Sequence, residues 1–300
     1  MKTRIALAVI ALAALAVVFW PNRKAESQTT DVTLVGAGNV ANGYDLSLTG
    51  AMATAALLDA TPGTVFCLGD YAYDNSRDQE FDRAYDPTWG RAKNRTIPVV
   101  GNHEYYTYDA RTYFNYFGAA AGDPAKGYYS LDLGAWHIIV INSECSRLPG
   151  GCAVGSPEEV WLKNDLASHT QPCTLAMWHD PMFSSSSIIS LATDMQPIWQ
   201  DLYDANADII LNAHAHNYER FAPQDPNGNL DAARGIPEFV VGTGGISHFA
   251  FNAVPAANSL VRNNTAFGVL KLTLHATSFD WRFMPIAGQT FTDSGSQACH

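Results

Sequence analysis

Six short apolar runs constrain this chain more than any other feature: Val32–Val35, Thr64–Leu68, Ile97–Val100, Trp136–Ile141, Thr174–Trp178 and Asp208–Leu211. Runs of four to six residues without polar alternation mark strands buried on both faces. Between and after them, Leu46–Leu58, Pro157–Ala167 and Ile198–Ala205 carry helical patterns. Ser156 followed by Pro157, Glu158 and Glu159 is a helix start: a hydroxyl cap, a proline in the first turn, then carboxylates at the positive end of the helix dipole. The last third shifts to strands over Phe239–Val241, Gly268–Leu274 and Ser278–Phe283, with a hairpin turn at Ala276 and Thr277. Strand–turn–helix units followed by antiparallel strands predict an α/β layered fold. With no Pro/Gly/Ser-rich linker, residues 31–300 read as a single domain.

The first residues read differently. Lys2 and Arg4 precede an apolar stretch from Ile5 to Trp20, and Pro21, Asn22, Arg23 and Lys24 follow before the small-residue site at Ala25–Ser27. Residues 1–27 are therefore expected to be a secretory signal peptide or, if uncleaved, a membrane anchor through residues 5–20. Either way the remainder is exported, to a secreted, periplasmic or cell-surface location. Cysteine usage agrees: Cys145 and Cys152 flank a turn-rich loop and can close a disulfide. Cys67 lies in a strand run and reads as a buried thiol, and a Cys173–Cys299 pair is open. The chain has 18 Lys and Arg against 29 Asp and Glu, a net charge of −11. That balance excludes a general nucleic-acid binder, which needs a basic footprint; a phosphate could still bind where a metal supplies positive charge.

Five of the apolar runs end in polar tips. These are Gly36–Asn39, Gly69–Tyr73, Gly101–Glu104, Trp178–Pro181 and Ala213–Arg220. In open α/β sheets ligands bind beyond the carboxyl ends of strands, so distant tips can converge on one site. Asp70 offers a carboxylate able to bridge two cations, Tyr73 a phenol that a strongly acidic metal can ionise, and Asn102 an amide oxygen. His179, His214 and His216 offer imidazoles, the last two on one face of an extended segment. A mixed oxygen and nitrogen set suits iron, zinc or manganese rather than calcium or a thiolate site, and two adjacent metals serve in-line displacement at phosphorus. His137 sits inside a strand and reads as a satisfied core residue. His169, His248, His275 and His300 show no partner pattern.

Gly69–Asp70 with Tyr73, the run Gly101–Asn102–His103–Glu104, His179, and His214, His216, Tyr218, Glu219 and Arg220 resemble the calcineurin-like metallophosphoesterases. Tyr73 and Ala41 place the resemblance in the purple acid phosphatase branch, nearest the bacterial members without an amino-terminal β-sandwich domain. The resemblance covers nearly all of residues 31–300. It implies a four-layer αββα sandwich of two packed mixed β-sheets flanked by helices. It also implies an enzyme that hydrolyses phosphate esters by attack of a metal-bound hydroxide at a dinuclear site. Asp70 would bridge the metals, Tyr73 and His216 would bind the first, and Asn102, His179 and His214 the second. His103 would contact the substrate phosphate or protonate the leaving oxygen.

Three positions depart from the family pattern. Asn39 stands where the family has an aspartate that binds the first metal, so that site loses a negative ligand. Ala213 stands for a glycine and is expected to crowd the turn before His214. Asp180 stands for a histidine and would repel a phosphate it faced. These departures favour, as an alternative, a degenerate member that binds metal or phosphate with little turnover. A distant alternative is a dinucleotide-binding oxidoreductase, from the spacing of Gly36, Gly38 and Ala41 after a strand; it lacks the acidic residue about twenty positions on.

Overall fold

The computed structural model describes residues 31–44 and 46–300; the leader expected over 1–27 lies outside them. The chain begins with β1 (Val32–Ala37) and a two-residue β2 (Ala41–Asn42), then α1 (Thr49–Asp59). β3 (Thr64–Leu68), β4 (Ala72–Tyr73), a one-turn α2 (Asp78–Glu80), β5 (Thr96–Val99) and α3 (Arg111–Phe117) follow. β6 (Tyr129–Leu133), β7 (Trp136–Val140), α4 (Pro157–Ser168), β8 (Cys173–Met177), α5 (Gln196–Asp204) and β9 (Ile209–Asn212) form the middle. The remainder is strand: β10 (Tyr218–Phe221), β11 (Glu238–Val241), β12 (Ser259–Asn263), β13 (Gly268–Leu274), β14 (Ser278–Pro285) and β15 (Ser294–Ala298).

Two mixed sheets pack face to face with helices outside, an αββα sandwich. One sheet runs β15–β14–β13–β1–β3–β5, the other β12–β10–β11–β9–β8–β7–β6. Within the first, β1, β3 and β5 are parallel; within the second, β7, β8, β9 and β11 are parallel. The two-residue period of a strand explains why both faces of the second sheet are apolar. Ile138, Val140, Leu175, Met177, Ile209 and Leu211 enter the core shared with the first sheet. Their neighbours Ile139, Ala176, Trp178 and Ile210 face the opposite way, onto Leu162 of α4 and Ile198, Trp199 and Leu202 of α5. α4 starts as its sequence demands, with the Ser156 hydroxyl accepting from the Glu159 amide at 3.2 Å.

The apolar runs fall where expected to within two residues, and β13 and β14 turn through Ala276 and Thr277, closed by the His275 amide on the Ser278 carbonyl. Six strands, β2, β4, β6, β10, β12 and β15, and the helices α2 and α3 carried no such signal. β6 and β12 are half-buried edges, and β15, Ser294 to Ala298, has no large apolar side chain. β15 is placed by its backbone ladder to β14. Both disulfides form, Cys145–Cys152 and Cys173–Cys299, and Cys67 is a buried free thiol.

The dinucleotide alternative is corrected here. After Ala41 the chain continues as β2 and reaches a helix only at Thr49, so no helix N-terminus opens on the glycines. Those glycines serve packing instead: a Cβ on Gly36 would lie 1.9 Å from the Phe66 carbonyl oxygen.

Candidate metal centre

The parallel strands of both sheets deliver their carboxyl ends to one edge. The loop after β1 stitches the sheets together there: the Gly38 amide donates to Val241 of β11, while the amides of Asn39 and Val40 donate to Gly69 and Asp70 after β3. Three side chains at this edge, Asn39, Asp70 and His214, hang from non-glycine residues in the left-handed region, with φ of 61°, 56° and 58°. Such conformations are costly for residues with a Cβ and persist where the surroundings over-determine them. Gly69, at φ 84°, leaves the room they need; a Cβ there would lie 2.6 Å from His179 Nδ1.

All seven residues proposed as metal ligands meet at this edge, and His103 stands beside them. The Tyr73 hydroxyl donates to Asp70 Oδ2 at 2.6 Å and lies 3.1 Å from His216 Nε2. Asn39 Nδ2 reaches Tyr73 Oη at 2.6 Å and Asp70 Oδ2 at 3.2 Å. On the other side of Asp70, His179 Nε2 is 3.3 Å from Oδ2. Asn102 Oδ1 sits 3.1 Å from both His179 Nε2 and His214 Nδ1, and those two nitrogens are 3.2 Å apart. His103 Nε2 approaches Asp70 Oδ2 at 3.8 Å. Asp70, His179 and His214 form one of the groups among the described residues with donor atoms close enough to hold an ion.

The donors fit a cation. His179 Nδ1–H donates to the Leu68 carbonyl at 2.5 Å, and His216 Nδ1 is joined to Ser247 Oγ at 2.6 Å. Each ring thereby turns its other nitrogen inward, the arrangement in which an outer partner sets the tautomer of a ligating imidazole. Burial holds His214 below its ordinary range and pushes His216 down to about 3, so both keep a free lone pair. Burial also disfavours charge on Asp70, yet His179, and less strongly His103 and His214, hold its carboxyl well below the usual range. Burial likewise opposes charge on His179, but the Asp70 carboxylate lifts it to about 10. A buried carboxylate that recruits positive charge this strongly is matched to a metal ion. The donor set, oxygens and imidazoles without thiolate, suits first-row metals.

Four features escaped sequence reasoning. Glu104 is buried and braces the centre: its carboxylate accepts from the amides of Asp70 (2.9 Å), Tyr71 (3.0 Å) and Gly101 (2.8 Å) and from the Ser76 hydroxyl (2.7 Å). Ser247 and Phe249 orient His216, the Phe249 ring stacking at 3.7 Å. Their loop follows β11 as a glycine-rich tip, the same signal that marked the other five. Glu144 packs against Asp180, and burial and that neighbour push its carboxyl up to about 9.

One departure resolves differently from expectation. Ala213 does not crowd the turn, because it faces Gly38, where any Cβ would lie 2.5 Å from its own. Asp180 accepts from the Ser143 hydroxyl at 2.7 Å and lies 3.5 Å from His214 Nδ1, which puts its carboxylate at the edge of the site. The other histidines find carboxylate or ring partners: His169 with Asp165, His275 with Asp31 and Asp280, His300 with Asp208, and His248 stacked on Phe267. His137 lies between Asp132 and Asp165 at 2.8 Å each, with His169 stacked on it at 3.6 Å.

Comparison with known proteins agrees with this geometry. The family model described as calcineurin-like phosphoesterase matches residues 51–218. Purple acid phosphatase 15 of Arabidopsis thaliana is 27% identical over 227 residues, covering 63% of this chain and 41% of that protein. Acid phosphatase type 7 of Homo sapiens is 31% identical over 182 residues, covering 53% and 41%. The chain spans a third to just under half of the length of the first curated relatives it matches. In fold it is similar to the purple acid phosphatase PPD1 of yellow lupin, with a TM-score of 0.73 at 20% identity, over 90% of this chain and 54% of that one.

Proposed function

The chain belongs to the calcineurin-like phosphoesterase family, in its purple acid phosphatase-like branch, and from that premise we propose that it is an exported hydrolase of phosphate esters working at a dinuclear metal site. One observation carries the reading. Side chains from five separate strand ends meet within hydrogen-bond distance, and two imidazoles are locked by outer partners so that their inner nitrogens face Asp70, from His179, and Tyr73, from His216.

Asp70 would bridge two ions, with Tyr73, His216 and Asn39 on the first and Asn102, His179 and His214 on the second. When bound, two such ions supply Lewis acidity at phosphorus and lower the pKa of water. The net reaction adds water across the ester: an oxygen of water bonds to phosphorus, the phosphorus–ester-oxygen bond breaks, and the alcohol leaves with a proton. We assign His103 that transfer: with both ring nitrogens protonated, it would give its Nε2 proton to the leaving oxygen. Its Nδ1–H donates to the Asp74 carbonyl at 2.5 Å, which leaves Nε2 on the Asp70 side. Its ring is tilted against Tyr73 at 4.2 Å and so holds one orientation. Two disulfides support export, since such bonds persist in oxidising compartments.

The second reading, metal binding with little turnover, draws on Asn39. Its NH2 group faces the Asp70 and Tyr73 oxygens, and its own oxygen is buried without a partner. A half-turn of the amide would present that oxygen to a cation, though without charge. Elemental analysis of purified protein, with aryl-phosphate hydrolysis after reconstitution with iron, zinc or manganese, separates the readings. Two metals with turnover that Asp70→Asn abolishes supports the enzyme. Metal without turnover supports the second reading, and full activity of Asp70→Asn removes Asp70 from the site.

A further inference from the structure

Beside the metal centre lies a cleft of about 600 Å³ whose lining includes Arg77, Tyr106, Tyr108 and Arg111. It adjoins the reacting side of the site. The Tyr106 ring packs edge-on against the His103 imidazole at 4.8 Å, and His103 in turn packs on Tyr73. A leaving group protonated by His103 would therefore emerge past Tyr106.

The cleft is cationic in an acidic protein. Some arginines elsewhere are committed: Arg91 pairs with Asp59, Arg95 binds three carbonyls, and Arg220 pairs with Asp293. Among the described residues neither Arg77 nor Arg111 has a side-chain hydrogen bond or ion pair. The one carboxylate lining the cleft, Asp78, accepts from the Thr112 hydroxyl at 2.6 Å. Tyr106 and Tyr108 are 55% and 82% exposed, large rings left open to solvent at the same place.

The cleft is also built. Arg77 follows Ser76 at φ 48°, and Arg111 follows Asp109 and Ala110 at φ 48° and 50°. None of the three is glycine, and left-handed backbone in residues with a Cβ collects at ligand clamps. The Ser76 hydroxyl is held by Glu104, the carboxylate that braces Asp70, and the Glu104 carbonyl accepts from Thr107 Oγ1 at 2.8 Å. One buried residue thus fixes both walls of the cleft relative to the metal loops.

We infer that this cleft recognises the leaving group, and that the preferred substrate is an aryl-like phosphate ester whose leaving group carries a second anionic group. The scissile phosphate would lie at the metals, the ring against Tyr106 and Tyr108, and the second anion at Arg77 and Arg111. This rests on the phosphoesterase reading above. Guanidinium groups bind carboxylate and phosphate alike through charge-assisted hydrogen bonds, so the recognised chemistry is the second anion, and its source is a matter for the test.

Three substrates with one phenyl ring separate the possibilities: phenyl phosphate, 4-(2-carboxyethyl)phenyl phosphate and 4-(2-phosphonoethyl)phenyl phosphate. The flexible arm lets the second anion reach the cleft with little effect on the leaving phenol. For the metal-loaded protein, kcat/KM for one or both substrates that carry a second anionic group should exceed that for phenyl phosphate by about tenfold or more, the scale of one charge-assisted contact. The better of the two identifies carboxylate or phosphate. In Arg77→Ala/Arg111→Ala that ratio should fall toward one, chiefly through KM. Tyr108→Ala, at an exposed position that cannot unfold the core, should weaken all three substrates alike. Calorimetric binding of 4-(2-carboxyethyl)phenylphosphonate and its phosphonoethyl analogue, which cannot turn over, is the parallel measurement. Arginine-dependent binding without hydrolysis of any ester would keep the cleft and sink the phosphoesterase reading. Hydrolysis of phenyl phosphate with no preference for a second anion, and no response of the ratio to the arginine pair, would overturn the cleft.

Discussion

The side-chain amide of Asn39 lies 3.2 Å from Asp70 and 2.6 Å from the Tyr73 oxygen, where a carboxylate would place a second buried negative charge. Its effect therefore has opposite signs with and without metal. In stripped protein, Asn39→Asp loses two donated hydrogen bonds and sets two carboxylates side by side, a cost of about 1–3 kcal/mol. With metal present the new carboxylate is the stronger ligand for a hard cation. The expected outcome is a lower Tm for Asn39→Asp than for wild type in chelator, a higher one after reconstitution, and more metal per chain. If wild type already holds two equally occupied ions and the variant changes neither occupancy nor either Tm, Asn39 is not a ligand position.

At the scale of elements, β6, β7 and α4 are joined by one buried imidazole. His137 of β7 bonds through Nδ1 to Asp132 of β6 and through Nε2 to Asp165 of α4, with His169 stacked on its face. Burial works against charge on His137, but the bonds to Asp165 and Asp132 outweigh it and raise its pKa. A group raised in the folded state adds stability that is complete below its unfolded value, about 6.5, and disappears as pH climbs through the folded value. His137→Gln should therefore be most destabilised relative to wild type near pH 6, and the gap should narrow as pH rises toward 9. Chemical denaturation at a series of pH values reads this directly. A gap that stays flat or widens with pH would show that His137 is neutral in the fold.

For the whole molecule, the joint between the two sheets is what builds the site, and the Cys173–Cys299 bond clamps it. Cys173 opens β8 in the second sheet, and Cys299 follows β15 at the edge of the first. Trp136 of β7 adds a 2.7 Å bond to the His275 carbonyl at the end of β13. The disulfide closes a separation of 126 residues, and loops of that size correspond to roughly 4–5 kcal/mol in the chain-entropy view. Replacing both cysteines by alanine should cost about 2–5 kcal/mol in denaturant unfolding. Metal content of the folded fraction should stay the same, because the clamp lies away from the strand ends that carry the ligands. Loss of metal at unchanged stability would contradict that division.

The six apolar runs and the tips that follow them were readable because burial and strand periodicity act on neighbouring residues. So were the Ser156 cap, the short disulfide and, through the tips, the convergence of Asp70, Tyr73, Asn102, His179, His214 and His216, whereas Asn39 and His103 were singled out by the family resemblance. Glu104 lay in view beside His103, yet its task is to bind the amides of Asp70 and Tyr71, more than thirty positions away, and no local pattern encodes that. Nor could sequence show that Ala213 is tolerated because Gly38 faces it across the sheets. β15 owes its place to a ladder of backbone hydrogen bonds, which any residues can make once β14 is laid down. Side-chain chemistry at strand ends thus belonged to the sequence, whereas partners and clearances across the sheets were decided by packing, which sets distances between residues that the chain itself keeps far apart.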